Sequence, residues 1–396
     1  MIRRRERLSP RELRHTGRQG RASLLFLLPL LFLFLLPGCS GSTNFSGSTP
    51  ALPNGQTGSV APLGAAPGNC YVSDSSSAAC STTQIKGSYG ITALATVTYG
   101  TTPTSDLFVG NGHGNISYVT VPASSKLPTT PTTCISSTGP AISSLALIPT
   151  TTSAGTLFYS TSAGVFTLST SSCSSSSPTS IKSSSVLTYI ANQIVGVTTA
   201  GTYFTCTGGT PSCTSQGPLP HFKGATVNVT AIASDPQYPV VYVATSTNGS
   251  YAVNIYSVSG TTLTFLGSYS GGELSAPVGI ALFHGPNPAQ NYCTGTTGGC
   301  NFLDVLNAGS DAITQYVLTY TLSSGTPTGV SLNQYNGAYL GCELFDPSAL
   351  AAISDPALGA PAVFLGENGT SFGPCQGVPS GTSFGNNVTA YTVNGE

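Results

Sequence analysis

An all-β fold, a β-propeller of six four-stranded blades, is what the sequence predicts, and three observations carry it. Val, Ile, Tyr, Phe and Thr recur in short runs, and few stretches favour a long helix. Gly, Pro, Asn and Ser punctuate those runs, as turns require. A Leu-Ala or Ile-Ala dipeptide within an apolar run returns six times, at Leu94, Leu145, Ile190, Ile232, Ile280 and Leu350, with spacings of 51, 45, 42, 48 and 70 residues. Self-similarity at about 45 residues, with several short strands per unit, is the pattern of propeller blades. One such unit cannot cover both of its faces, whereas a closed ring covers them and removes exposed sheet edges. A β-sandwich or a solenoid is the alternative from the same composition, and the 70-residue gap leaves room for a seventh blade.

Within each unit the dipeptide marks the first strand. Pro often follows, as at Pro149, Pro236 and Pro356, where it ends a strand and begins a turn. A second apolar strand comes next: Leu107–Val109, Leu157–Tyr159, Val241–Val243, Phe302–Val305 and Val363–Leu365. A Gly- or Asn-containing turn leads to a third, alternating strand, marked by Ile116, Tyr118 and Val119 in one unit and by Val253, Ile255 and Val258 in another. A fourth strand is clear only in places, as at Leu263–Phe265. The last unit ends soon after its third strand, so an outer strand from the N-terminal side, expected within residues 71–90, would close the ring.

Ahead of the propeller domain, placed at residues 70–396, lie two other segments. Residues 1–39 begin with a basic stretch holding eight Arg and continue in an apolar run from Leu24 to Leu36, broken only by Pro29. That run is shorter than the ~20 residues a membrane-spanning helix needs, and the whole reads as a secretory signal. It ends in Leu36-Pro37-Gly38-Cys39, which resembles the bacterial lipobox, although Pro37 departs from the small or β-branched residue usual there. The resemblance implies acylation of Cys39, an anchor in the cell envelope, and outer rather than inner membrane because Ser40 follows. Residues 40–69 are mostly Ser, Gly, Pro, Thr and Ala, with almost no large apolar side chains and no charge, the composition of a flexible tether.

Charge and cysteine usage narrow the chemistry. Residues 1–39 carry eight Arg against Glu6 and Glu12, a net +6, and the rest carries four Lys against eleven acidic residues, a net −7. No Arg lies beyond Arg21. Nucleic-acid binding requires clustered cations and is excluded; strongly anionic ligands lose their best partner with Arg. Setting Cys39 aside leaves ten cysteines in an exported chain, an even disulfide set. Cys206–Cys213 and Cys293–Cys300 share the pattern Cys-Thr-Gly-x-Thr-x-x-Cys, and each is expected to bridge its own loop. Cys70–Cys80 is a third local pair, and the remainder pair as Cys134–Cys173 and Cys342–Cys375. Zinc would want closer pairs or His partners, so no metal site is assigned.

The stretch Val240-Val241-Tyr242-Val243-Ala244-Thr245-Ser246-Thr247-Asn248-Gly249, followed by Val253-Asn254-Ile255-Tyr256-Ser257-Val258, resembles the repeat of YVTN-type and lactonase-like propeller proteins over roughly residues 229–270. The resemblance implies either a surface-protein propeller without known catalysis or a lactone hydrolase.

Turns between second and third strands sit at one face near the channel, where ligands usually bind in this architecture. They supply the ligand-binding candidates Asn111, His113, Asn248, Asp311, Glu367 and Asn368; Asp304, a carboxylate inside an apolar strand, is the seventh. His113 and Glu367 lie in the first and last blades, which ring closure makes neighbours. Against a ligand role, Asn, Asp and Gly are also what tight turns demand, and a buried carboxylate can serve structure alone. His221 and His284 stand in Pro/Gly-rich loops. No catalytic motif is present, so no catalytic residue and no cofactor are assigned. The preferred reading is a monomeric, lipid-anchored, non-enzymatic platform for a protein or glycan partner. The alternative is a lactonase-like hydrolase using a channel divalent cation.

Overall fold

The computed structural model describes residues 59–62, 90–121, 131–136, 139–173, 176–208, 212–222, 226–285, 293, 296, 298–310, 312–340, 347–354, 362–367 and 387–394. The chain divides into two units, Met1–Gly41 and Ser42–Glu396, and all the described residues belong to the second.

That unit is a β-propeller of six four-stranded antiparallel sheets. After β1 (Ser59–Pro62), the first blade comprises β2 (Ile91–Tyr99), β3 (Thr104–Asn111), β4 (Ile116–Val121) and β5 (Thr132–Ile135). The second comprises β6 (Ser144–Ile148), β7 (Thr156–Thr161), β8 (Gly164–Ser169) and β9 (Ser176–Pro178). The third comprises β10 (Ser185–Ile190), β11 (Gln193–Thr198), β12 (Thr202–Thr207) and β13 (Cys213–Pro218). The fourth comprises β14 (Asn228–Ser234), β15 (Val240–Thr247), β16 (Ser250–Ser259) and β17 (Thr262–Tyr269). The fifth comprises β18 (Pro277–Gly285), β19 (Cys300–Asn307), β20 (Ala312–Ser323) and β21 (Thr326–Leu340). The sixth comprises β22 (Pro347–Ile353), β23 (Ala362–Glu367) and β24 (Asn387–Asn394).

The six inner strands touch in cyclic order, β2–β6–β10–β14–β18–β22 and back to β2. The sixth sheet is completed from the N-terminal side: β1 pairs with β24, Ser59 opposite Asn394 and Pro62 opposite Tyr391. Closure by an N-terminal outer strand therefore holds. The strand itself comes from the Ser/Gly/Pro-rich stretch 40–69, upstream of the 71–90 segment expected to supply it. Four residues at a sheet edge need little side-chain burial, and Pro62 is tolerated there because an edge strand leaves an N–H unused.

Second strands are buried along most of their length: β15, between two other strands and two neighbouring blades, is Val-Val-Tyr-Val-Ala-Thr without an exposed residue up to Thr245. This is why the second strand gave continuous apolar runs rather than alternation. Six buried clusters fill the seams, one between each pair of neighbouring blades. Phe364 against Ile91 and Leu107 closes the sixth-to-first seam, and Phe302 with Leu350 and Val363 fills the fifth-to-sixth. Each large side chain so buried contributes about 1.5–3 kcal/mol. The closing seam is tight: a Cβ on Gly366 would lie 2.5 Å from Ile91 Cγ2.

Three disulfides form among the described residues, Cys134–Cys173, Cys206–Cys213 and Cys293–Cys300. Cys206 and Cys213 are direct partners in the β12–β13 ladder, so that bridge staples a hairpin. Cys134–Cys173 links β5 to the turn after β8 and ties the first blade to the second. On the chain-entropy account a 39-residue loop stabilises by about 4 kcal/mol and a seven-residue loop by about 2 kcal/mol. Cys39, Cys70, Cys80, Cys342 and Cys375 lie outside the described residues.

Candidate functional site

The inner strands build an axial channel in layers. Leu94, Leu145, Leu187, Ile232, Ile280 and Leu350, one per blade, form a buried aliphatic ring that lines both of two chambers. Five of these are the repeat residues read from the sequence. The sixth differs: Ile190-Ala191 is not the equivalent pair, because Ala191 and Asn192 carry φ of +49° and +63° in the β10–β11 turn. Leu187-Thr188 takes the channel position instead. A Leu/Ile-Ala match three residues downstream fitted the period while sitting at the strand end.

The chamber beyond the ring, toward the C-terminal ends of the inner strands, has a volume of about 260 Å3. The chamber at their N-terminal ends, below the turns between second and third strands, has about 70 Å3. The roomier space is thus on the face opposite the one the sequence favoured. The layer after the aliphatic ring is Ala95, Ala146, Thr188, Ala233, Ala281 and Ala351, and the next supplies Thr96, Leu147, Tyr189, Ser234, Leu282 and Ala352. Among the described residues no acidic, basic or His side chain lines either chamber. Thr96 Oγ1 donates to Ala352 O across the closing seam at 2.6 Å, and Tyr189 donates to Asn192 Oδ1 at 2.9 Å.

The turn residues singled out in the sequence are placed as follows. Asn111 ends β3, is buried, and its Oδ1 accepts the backbone N–H groups of His113 and Asn115 at 3.0 Å each. The last residue of β7 and of β11 does a similar job: Thr161 Oγ1 accepts from Ala163 N, and Thr198 Oγ1 from Thr202 N. Asn307, at the same position in β19, accepts from Ser275 N and donates to Thr314 Oγ1. In β3, β7 and β11 the side chain there holds the turn, whereas Asn307 ties the segment before β18 to β19 and β20. His113 is exposed. Asn248 is exposed with φ +51° and is followed by Gly249 at φ +80°, a two-residue hairpin turn. Glu367 ends β23, but its side chain, like Asp311 and Asn368, lies outside the described residues.

Asp304 does not line either chamber. It sits in β19 on the face of Phe302 and Leu306, which pack in the fifth-to-sixth seam. It is 2 % exposed and accepts one hydrogen bond, from Gln315 Nε2 at 2.8 Å. Burial pushes its carboxyl up to about 7.

Sequence reasoning missed a second polar cluster, at the seam between the fourth and fifth blades. Asp235, in the β14–β15 turn, is buried and accepts five donors. Its Oδ1 takes Gln237 N at 2.9 Å, Tyr238 N at 3.0 Å and Asn301 Nδ2 at 2.9 Å. Its Oδ2 accepts from Tyr242 OH at 3.2 Å and from Tyr320 OH. Burial raises its carboxyl above the ordinary range, opposed by the hydrogen bonds of Tyr320, the Gln237 and Tyr238 backbone and Tyr242. Asn301 Oδ1 in turn meets His284 Nδ1 at 2.8 Å. Since an amide oxygen only accepts, His284 Nδ1 is the donor in that contact, and its Nε2 lies 3.4 Å from Gln237 Nε2. His284 therefore lies in β18 within a network, not alone in a loop. His221 stacks on Phe265, ring centroids 4.4 Å apart. The signals that could have pointed to the cluster were Asp before Pro236 and a polar Asn301 opening an apolar strand.

Among the described residues no three His, Cys, Asp or Glu side chains gather as a metal site. No family model matches the chain, and no curated protein matches it. Solved structures similar to it include a protein of unknown function from Dyadobacter fermentans, at 10% identity and TM-score 0.48, covering 78% of this chain and 96% of that one. Another, from Lactobacillus plantarum, has 13% identity and TM-score 0.37, covering 63% of this chain and 85% of that one. At these scores neither likeness bears on function.

Proposed function

We propose that this protein is an exported, lipid-anchored β-propeller that acts as a binding platform at the cell envelope. The observation that carries the reading is the axial chamber, whose lining offers hydroxyls and aliphatic surface and, among the described residues, no ionisable group. Such a lining holds a ligand by shape and hydrogen bonds. Three carboxyl side chains are engaged elsewhere: Asp235 and Asp304 at blade seams, and Glu273, in the segment after β17, as acceptor for the hydroxyls of Tyr269 and Tyr316. The leader supports the envelope placement, since every Arg lies within residues 1–39 and a lipobox-like Leu-Pro-Gly-Cys ends that segment. The YVTN-like stretch within residues 229–270 is in keeping with a surface propeller.

Fractionation of the native host with mass spectrometry of the mature N-terminal peptide tests the anchor. The expected result is membrane-associated protein beginning at diacylated Cys39. A soluble protein, or an N-terminal peptide with an unmodified Cys39, would end the anchored reading.

A further inference from the structure

We infer that the wider axial chamber is a binding site for one uncharged sugar residue; this rests on the platform reading and names its ligand. The chamber is kept open by small side chains. Directly beyond the aliphatic ring, five blades place Ala and only the third places a larger residue, Thr188. A layer serving only to fill the axis would carry bulk there. The space left, about 260 Å3, is small for a drug-sized ligand and suited to a single ring.

The polar groups are asymmetric. Thr188, 8 % exposed, has no side-chain hydrogen bond among the described residues, and neither has Ser234 on the adjoining fourth blade. Both hydroxyls face the chamber and are free to bond an occupant there. Tyr189 adds a phenol beside them whose proton is already directed at Asn192, leaving its oxygen to accept. Flanking them on either side, Leu147 and Leu282 from the second and fifth blades add aliphatic lining. Hydroxyls bordered by aliphatic side chains match a sugar ring, which carries hydroxyls at its edge and C–H groups on its faces. Among the described residues the lining holds no counter-charge, which disfavours an acidic or amino sugar, because burying an unpaired charge is costly.

Isothermal titration of the full chain in detergent tests this, using the methyl glycosides of glucose, galactose, mannose and N-acetylglucosamine, with glucuronate and glucosamine as charged counterparts. At least one neutral glycoside is expected to bind saturably at one per chain, and the charged sugars at least about tenfold more weakly. Thr188→Val, which keeps shape and removes the hydroxyl, is expected to weaken binding roughly threefold to tenfold. Ala351→Leu, which fills the chamber from the opposite side, is expected to abolish it, with circular dichroism and thermal midpoint showing that each variant folds. Saturable binding by no neutral glycoside overturns the inference, as does binding untouched by both variants. The second result would place the glycan elsewhere and leave the platform standing. An unmodified Cys39 would remove the anchor and leave the chamber standing.

Discussion

Asp235 and Asp304 are both buried carboxyls at seams of the ring, and they are accommodated in opposite ways. Asp235 gathers five donors from the fourth and fifth blades, and its two oxygens tie a turn, two Tyr and one Asn into one unit. Asp304 has a single amide donor in its own sheet and otherwise meets the apolar fifth-to-sixth seam. Burial raises both. The lesson is that burial alone does not mark a functional acid: the donors show Asp235 to be an interblade fastener, and their scarcity shows Asp304 to be held nearly as a neutral group.

The largest effect should come from removing the better-served carboxyl. Asp235→Ala leaves two phenols, an amide and two backbone N–H groups without their acceptor, and a loss of at least about 3 kcal/mol is expected in chemical or thermal denaturation. Asp304→Ala removes one acceptor and is expected to cost less, about 1–3 kcal/mol. If the two variants melted together, the distinction between fastener and bystander would fail.

The pH dependence of stability offers a further test of Asp304. A carboxyl raised to about 7 in the fold favours the protonated form there, so its contribution is fully present below the unfolded carboxyl range. It is lost as pH rises through about 7. Wild-type stability should therefore fall between about pH 4 and pH 7 from this group. Asp304→Asn, neutral throughout, should flatten that slope and be more stable than wild type at pH 8. Thermal midpoints across that range check it, and an unchanged slope would assign the titration elsewhere.

Smaller again is Asn248→Ala, in an exposed hairpin turn where φ is +51°. About 1 kcal/mol is expected from the left-handed conformation, with no change in sugar binding. A change in binding would return that face to consideration as the ligand site.

These contrasts also show what was legible in advance. The propeller was, because its repeat is a property of single strands: an aliphatic residue and a small one in succession on the inner strand, packing into the seams on its two sides, then an apolar second strand, then a turn. The Cys206–Cys213 and Cys293–Cys300 bridges were, because turn-forming spacers mark each as a local pair; Cys134–Cys173 was reached only by pairing cysteines that remained. Ile190-Ala191 misled because a turn happened to repeat the dipeptide. The closing strand was illegible, since Ser59–Pro62 is held by backbone pairing and has no pattern of its own. The Asp235 cluster was illegible for a different reason. Its members lie 66 and 85 residues apart in the chain, at Asn301 and Tyr320, and only ring packing brings them together.

The central claim is that the ring presents its ligand site in the wider chamber, on the face away from the turns that carry His113 and Asn248. Hydrogen exchange of the full chain, with and without a saturating neutral methyl glycoside, tests it most directly. Added protection is expected at the C-terminal halves of the inner strands, around Thr96, Thr188 and Ser234. Protection confined to the turns after β3 and β15, or none at all, would contradict it.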